Sequence, residues 1–285
     1  MGDGLVRTPH LDKLARDGLL CTNAYTPAPV CVPARMSFMT TRTPSGNECW
    51  LNRHILDSGI PTWAHALAPA GYETALIGRM HFVGTDHRHG FESRPIGEPS
   101  ASPPGVSRVA AQFKDIPGAT SGQSRESIEI AGYGTTTYTA YDEAVAAKAC
   151  EWLRERAAGD DDRPFAAVTG FVLPHCPFFA PKELFDYYFE RVSVPAEECQ
   201  PDEPQTPAVR RWRANRGMSV PLSPHQIRVA RAAYLGLCEH LDAQIGTIMD
   251  TLEATGLADN TLVIYTSVRC KPVPLAPQQP VVLSS

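Results

Sequence analysis

Residues 141–173 read YDEAVAAKACEWLRERAAGDDDRPFAAVTGFVL, and two periodicities meet in that one stretch. Its first part, 141–158, is rich in Ala, Leu, Glu, Lys and Arg, which lose little rotamer freedom in a helix, and it predicts one. The turn Asp160-Asp161-Asp162, with Pro164 close behind, ends it. FAAVTGFVL at 165–173 is then a continuous apolar run of strand length, the pattern of a central strand covered on both faces. Helix followed by buried strand is one unit of α/β architecture.

The same unit recurs on both sides. Upstream, PTWAHALAPAG (61–71) predicts a short helix and YETALIG (72–78) a buried strand. Downstream, HQIRVARAAYLGLCEHLDAQIGTIMDTLEATG (225–256) is the most periodic segment of the chain. Ile227, Ala230, Tyr234, Leu237, Leu241, Ile245, Ile248 and Leu252 form one stripe, and Gly256 supplies a stop. TLVIYTS (261–267) is a third apolar strand. Nearer the N-terminus, PHLDKLARDG predicts a short helix with Leu11, Leu14 and Ala15 on one face, followed by the strand-like LLCTNAY. Residues 95–137 are rich in Pro, Gly, Ser and Thr and predict a long irregular excursion. The fold class expected is α/β, a mainly parallel sheet with helices on both faces.

Composition narrows the function classes. The chain has 285 residues, 43% hydrophobic and 20% charged, enough for a sizeable core, and its net charge of −5 offers no footprint for nucleic acid or an anionic membrane. No apolar run approaches bilayer length, and no basic region followed by an apolar stretch opens the sequence; the expected location is the cytoplasm. Eight cysteines are scattered without a C-x-x-C pair, which agrees with a reducing compartment.

The chemistry is concentrated in TPAPVCVPARMSFMTTRTPSG (26–46). Cys31-Val32-Pro33-Ala34-Arg35 has the form C-x-P-[SA]-R, with TPHLDKLARDGLLCTNAYT immediately upstream and the helix-competent MSFMTT after it. Pro33 suits the first turn of a helix, so position 31 falls at a helix N-terminus, where free N–H groups and the dipole favour an anion. Arg35 adds fixed positive charge on the same face. This block resembles the sulfatase family, whose fold is alkaline-phosphatase-like and in which the cysteine is oxidised to formylglycine by a generating or maturase enzyme. In the family the hydrated aldehyde attacks the sulfur of a sulfate ester, and loss of its second proton expels sulfate. The resemblance implies Cys31 as nucleophile precursor and metal contact, with Arg35 as its electrostatic support.

Three further blocks extend the likeness. Gly78-Arg79-Met80-His81-Phe82-Val83-Gly84 is similar to the family's G-K-x-H-x-x-G segment, with Arg79 where lysine is usual. The longer run GRMHFVGTDHRHGFE looks most like the choline-sulfatase branch. The resemblance makes Arg79 and His81 sulfate contacts. His81, His87 and His89 also permit a zinc reading, for which no cysteine or carboxylate has the right spacing, and His87 and His89 read as solvated loop residues. Leu173-Pro174-His175-Cys176-Pro177, at the end of the predicted strand 165–173, resembles the family's P-H-x-P, in which the histidine contacts sulfate and assists the leaving oxygen.

The final block departs from the family. Where T-S-D-H-G or S-D-N-G would bind a divalent cation, calcium foremost, Ser267 is followed by Val268-Arg269-Cys270 and the Pro-rich KPVPLAPQQPVVLSS. The paired aspartates of the family's first strand would lie upstream of residue 1. The expectation is therefore an incomplete sulfatase catalytic domain over 1–267, a tail over 268–285 outside the family pattern, and none of the usual Asp, Asn or His metal ligands. The activity implied is sulfuric ester hydrolysis of a small-molecule ester. Phosphonate or phosphate monoester hydrolysis within the same superfamily, or an inactive remnant, are the alternatives.

Overall fold

The computed structural model describes residues 4–99, 124–194, 206–267 and 281–284. The first part of the chain forms α1 (Pro9–Asp17), β1 (Leu19–Cys21), α2 (Cys31–Thr40), α3 (Pro44–Asn47), α4 (Trp63–Leu67), β2 (Glu73–Gly78) and β3 (Ser93–Ile96). After it come α5 (Arg125–Glu129), β4 (Gly132–Tyr133), α6 (Thr137–Ala158), β5 (Phe165–Gly170), β6 (Phe179–Ala180) and α7 (Lys182–Phe189). The last elements are α8 (Pro207–Asn215), α9 (Pro224–Ala254), β7 (Val263–Tyr265) and β8 (Val281–Ser284).

A parallel sheet of order β3-β2-β5 lies at the centre, with β2 and β5 in register from Glu73↔Phe165 to Gly78↔Gly170. Residues 74–78 of β2 are all buried, so both of its faces are covered. Alternation divides them between two cores. Ala75 and Ile77 enter the larger one with Tyr141, Val145 and Leu237, and Leu76 enters the smaller one with Met36, Met39, Ala64 and Phe82. Helix α6 covers the first face and α2 with α4 the second. The predicted stripe of α9 is realised: Ala230 and Leu237 are fully buried, Ile227, Tyr234, Leu241 and Leu252 nearly so, each large side chain contributing about 1.5–3 kcal/mol. A Ser223–Gln226 capping box starts this helix.

Several expectations need correction. TLVIYTS does not join the parallel sheet: β7 pairs antiparallel with β8, which pairs antiparallel with β1. The tail beyond 267 thus supplies the middle strand of a second sheet, and that partner sets β7's direction. Strand β5 stops at Gly170, short of the predicted 173, because residues 171–175 turn away to carry their amides elsewhere. The helix expected over 61–71 spans only Trp63–Leu67. Within 95–137 the described residues hold the end of β3, then α5 and β4; residues 100–123 lie outside the described residues. Among the described residues no helix is long and apolar enough to cross a membrane.

The ends of β2 and β5 approach too closely for a side chain. A Cβ on Gly170 would fall on the backbone of Arg79, and one on Gly78, at φ +102°, on the carbonyl of Gly170. Gly170→Ala should therefore cost about 3 kcal/mol through forced strand separation, visible as a lower urea midpoint; an unchanged midpoint would show that this approach is not a constraint.

Candidate active site

Helix α2 starts at Cys31 itself, with Pro33 inside the first turn and Val30, extended, as N-cap. Val30 has no capping side chain, so the Val32 N–H is satisfied from outside, donating to Asn52 Oδ1 at 3.0 Å. Cys31 is buried, 6% exposed. One turn on, the Arg35 guanidinium leaves the helix for the strand ends: Nη1 donates to the Arg79 carbonyl at 2.8 Å and Nη2 to the Phe171 carbonyl at 3.3 Å. These are the residues that follow β2 and β5, so one side chain ties the start of α2 to the carboxyl end of the parallel sheet. Its Nε is buried without a hydrogen-bond partner.

Arg79 is buried beside it, 7% exposed. Burial, followed by repulsion from Arg79, lowers the Arg35 pKa to about 10, so Arg35 remains a cation near neutrality. Neither is ion-paired with a carboxylate among the described residues. Arg79 Nε donates to His81 Nε2 at 3.0 Å, so the neutral His81 ring carries its proton on Nδ1. His81 sits at φ +63°, a left-handed conformation costing a non-glycine residue roughly 1–2 kcal/mol.

His175 stands in the loop after β5, its Nδ1 at 2.5 Å from the Cys176 carbonyl and its ring edge-on to Tyr138 at 5.7 Å. A carbonyl only accepts, so Nδ1 donates. The Tyr138 ring also faces the Arg79 guanidinium, 6.0 Å away, and its hydroxyl lies within electrostatic reach of Cys31. All five residues predicted from the sequence thus converge where β2 and β5 end and α2 begins.

His89 is not solvated as expected. It is fully buried, its ring tilted by 46° against Phe82 with centroids 4.3 Å apart and its Nδ1 3.5 Å from Asp86, and burial lowers its pKa. It fills the smaller core's edge because its own carbonyl is held by the Thr62 hydroxyl. His87 is half-buried, its Nδ1 at 3.2 Å from the Phe82 carbonyl. Among the described residues no three His, Cys, Asp or Glu side chains come together to hold a metal ion. The described donor set therefore does not fit a divalent cation, and no step is assigned to one.

Sequence reading missed two buried carboxylates that shape this site. Asp142, fully buried on α6, accepts the amides of Val172 at 2.9 Å and Leu173 at 2.8 Å, fixing the loop that leads to His175. Glu98, fully buried after β3, accepts the amides of Met80 and His81. Asp142 had a signal, a charge on the apolar stripe with Tyr138, Tyr141 and Val145. Glu98, among prolines and glycines, had none.

Residues 1–267 match the sulfatase family. The choline-sulfatase of Rhizobium meliloti is 32% identical over 276 residues, covering 92% of this chain and 52% of the relative. The chain spans about half the length of the curated relatives it matches. Two solved structures share the fold over 99% of this chain. One, solved with its substrate D-glucosamine-2-N,6-O-disulfate, has a TM-score of 0.69 at 17% identity over 67% of its own length. The other, a phosphonate monoester hydrolase from Silicibacter pomeroyi, has a TM-score of 0.67 at 22% identity over 63%.

Burial pushes the Asp142 carboxyl up to about 7, against the opposing pull of the two amides, Arg79 and Arg35. The folded chain then holds a proton that the unfolded chain, with an ordinary carboxylate, releases near pH 4, so stability falls as pH rises from about 4 to about 7. Asp142→Asn should flatten that part of the profile of urea midpoint against pH relative to the parent; an unchanged slope would place the proton elsewhere.

Proposed function

Because the chain belongs to the sulfatase family, we propose that it carries the nucleophile side of a sulfuric ester hydrolase acting on a small-molecule sulfate ester. Residues 1–267 form the sulfatase part, and 268–285 lie outside the family pattern. One observation supports this reading above the rest. Two buried guanidinium groups, Arg35 and Arg79, stand together beside the helix start at Cys31 with no carboxylate paired to either among the described residues. Such a site favours a bound anion, which relieves the mutual repulsion.

The nucleophile precursor is Cys31, matured to formylglycine by a generating or maturase enzyme. When formed, that group supplies an oxygen nucleophile toward sulfur. Position 31 at the N-terminus of α2 places it where the helix dipole favours negative charge. Arg35, held by the carbonyls of Arg79 and Phe171, keeps its positive charge fixed beside the nucleophile through the reaction, the preorganisation that makes electrostatic stabilisation effective. Arg79 and His81 contact the sulfate. His175, with Nδ1 committed to the Cys176 carbonyl, donates from Nε2 to the leaving oxygen as imidazolium. Calcium is the cation implied by the family, and the described residues assign it no part.

Similarity to a phosphonate monoester hydrolase favours one second reading, hydrolysis of phosphonate monoesters with the same nucleophile. Both readings are tested on the chain co-expressed with a formylglycine-generating enzyme, using an aryl sulfate and an aryl phosphonate side by side. The expected result is faster turnover of the sulfate, lost by at least about 10⁴-fold in Cys31→Ala, with an aldehyde at residue 31 in the peptide mass spectrum. Equal rates with Cys31→Ala would overturn the nucleophile, and preference for the phosphonate would overturn the substrate class.

A further inference from the structure

Glu98 and Arg94 form an ion pair at 2.7 Å whose side chains are 0% and 4% exposed. Both members also bind the backbone of one loop. Glu98 Oε1 accepts the Met80 N–H at 2.8 Å and the His81 N–H at 2.6 Å. Arg94 Nη1 donates to the carbonyls of Phe82 at 3.3 Å and His87 at 2.7 Å. The pair is itself anchored: β3 delivers Arg94, and the Tyr141 hydroxyl holds the Gly97 carbonyl at 2.5 Å. Within this frame His81 adopts its left-handed backbone, and its Nε2 receives Arg79 Nε.

We propose that Glu98 is the positioning residue of the anion site, holding His81 in the one backbone state that aims its Nε2 at Arg79. The proposal rests on the reading of Arg79 and His81 as sulfate contacts. Two amides and one guanidinium share a single oxygen, while Oε2 is buried without a partner. Reach of that one oxygen, rather than the second oxygen, is what places the two amides, and the charge is matched by Arg94. A glutamine can present its carbonyl oxygen to all three donors with its amide group in the place of Oε2. An aspartate keeps the charge and withdraws the oxygen by one methylene.

The two variants therefore separate reach from charge. In the ¹⁵N-labelled full chain, ring-nitrogen correlation spectra assign the His81 tautomer, with His81→Gln identifying its signals. Glu98→Gln should keep the single Nδ1–H tautomer, and Glu98→Asp should give a tautomer mixture. With aryl sulfate as probe, Glu98→Asp should lower kcat by about tenfold or more with KM changed by less than about threefold, and Glu98→Gln, which leaves Arg94 without its carboxylate and so lowers the urea midpoint, should lose less of kcat than Glu98→Asp. Each variant decides alone if the other fails to fold: a lost tautomer in Glu98→Gln, or a retained one in Glu98→Asp, overturns the clamp. If the parent chain turns over no sulfate ester, the function proposed above fails, and the tautomer spectra still decide whether Glu98 sets His81.

Discussion

The guanidinium of Arg35 is the join on which the site depends. A cation in a buried position needs its donors satisfied, and here two of them find main-chain carbonyls at the carboxyl ends of neighbouring strands, Arg79 after β2 and Phe171 after β5. Those carbonyls are available because the ladder stops at Gly78 and Gly170, both without side chains and pressed against each other's backbone. Helix α2 is thereby fixed relative to the sheet by a side chain one turn from its start. A lysine at this position could not span both carbonyls with one planar group.

Loops that follow buried strands have main-chain amides with no ladder to join, and each must still be satisfied. Among the described residues one solution serves two such loops and also the unpaired first-turn amides of a helix. Glu98 takes the amides of residues 80 and 81, Asp142 those of 172 and 173, and Asp242 those of 10 and 11 at the start of α1. In each case a carboxylate from a distant segment accepts two successive N–H groups. Charge-assisted bonds of this kind are short and directional, so they set loop conformation more narrowly than apolar packing would. Two of the three end at the histidine-bearing loops, which explains how a backbone state as uncommon as that of His81 is held.

What the sequence made legible follows from which interactions are local. The stripe of α9 and the apolar run of β2 are local patterns that burial follows closely, whereas β5, expected to be a central strand covered on both faces, lies at the edge of the described sheet with Ala167 exposed and only Gly170 fully buried. Cys31 and Arg35 sit in a short block whose spacing is that of one helical turn, so their placement was readable. Strand β7 was legible as a strand but not in its pairing, because its partner is β8, a segment of the tail that no pattern connects to it. His89 looked like a loop residue and is core, since the loop folds inward around Arg94 and places the ring on Phe82. Glu98 and Asp142 act across 17 to 31 residues of chain; the apolar stripe around Asp142 marks that carboxylate as buried, but no local pattern names the amides that either one accepts.

The distribution of charge explains why these carboxylates do not simply neutralise the arginines. Asp142 and Glu98 are close enough to Arg35 for their fields to be felt, yet their oxygens are committed to backbone amides and, for Glu98, to Arg94. Had either been ion-paired directly with Arg35 or Arg79, an incoming anion would have to displace a buried carboxylate and leave it uncompensated, at a cost of several kcal/mol. By placing the negative groups one layer behind, on the loops, the fold keeps the two cations positioned and unspent. The loops become rigid and the guanidinium pair stays short of negative charge. Under the proposed function an oxyanion would complete this pair of fixed cations, and charge held in place in advance is the condition under which it lowers a barrier instead of merely tightening binding.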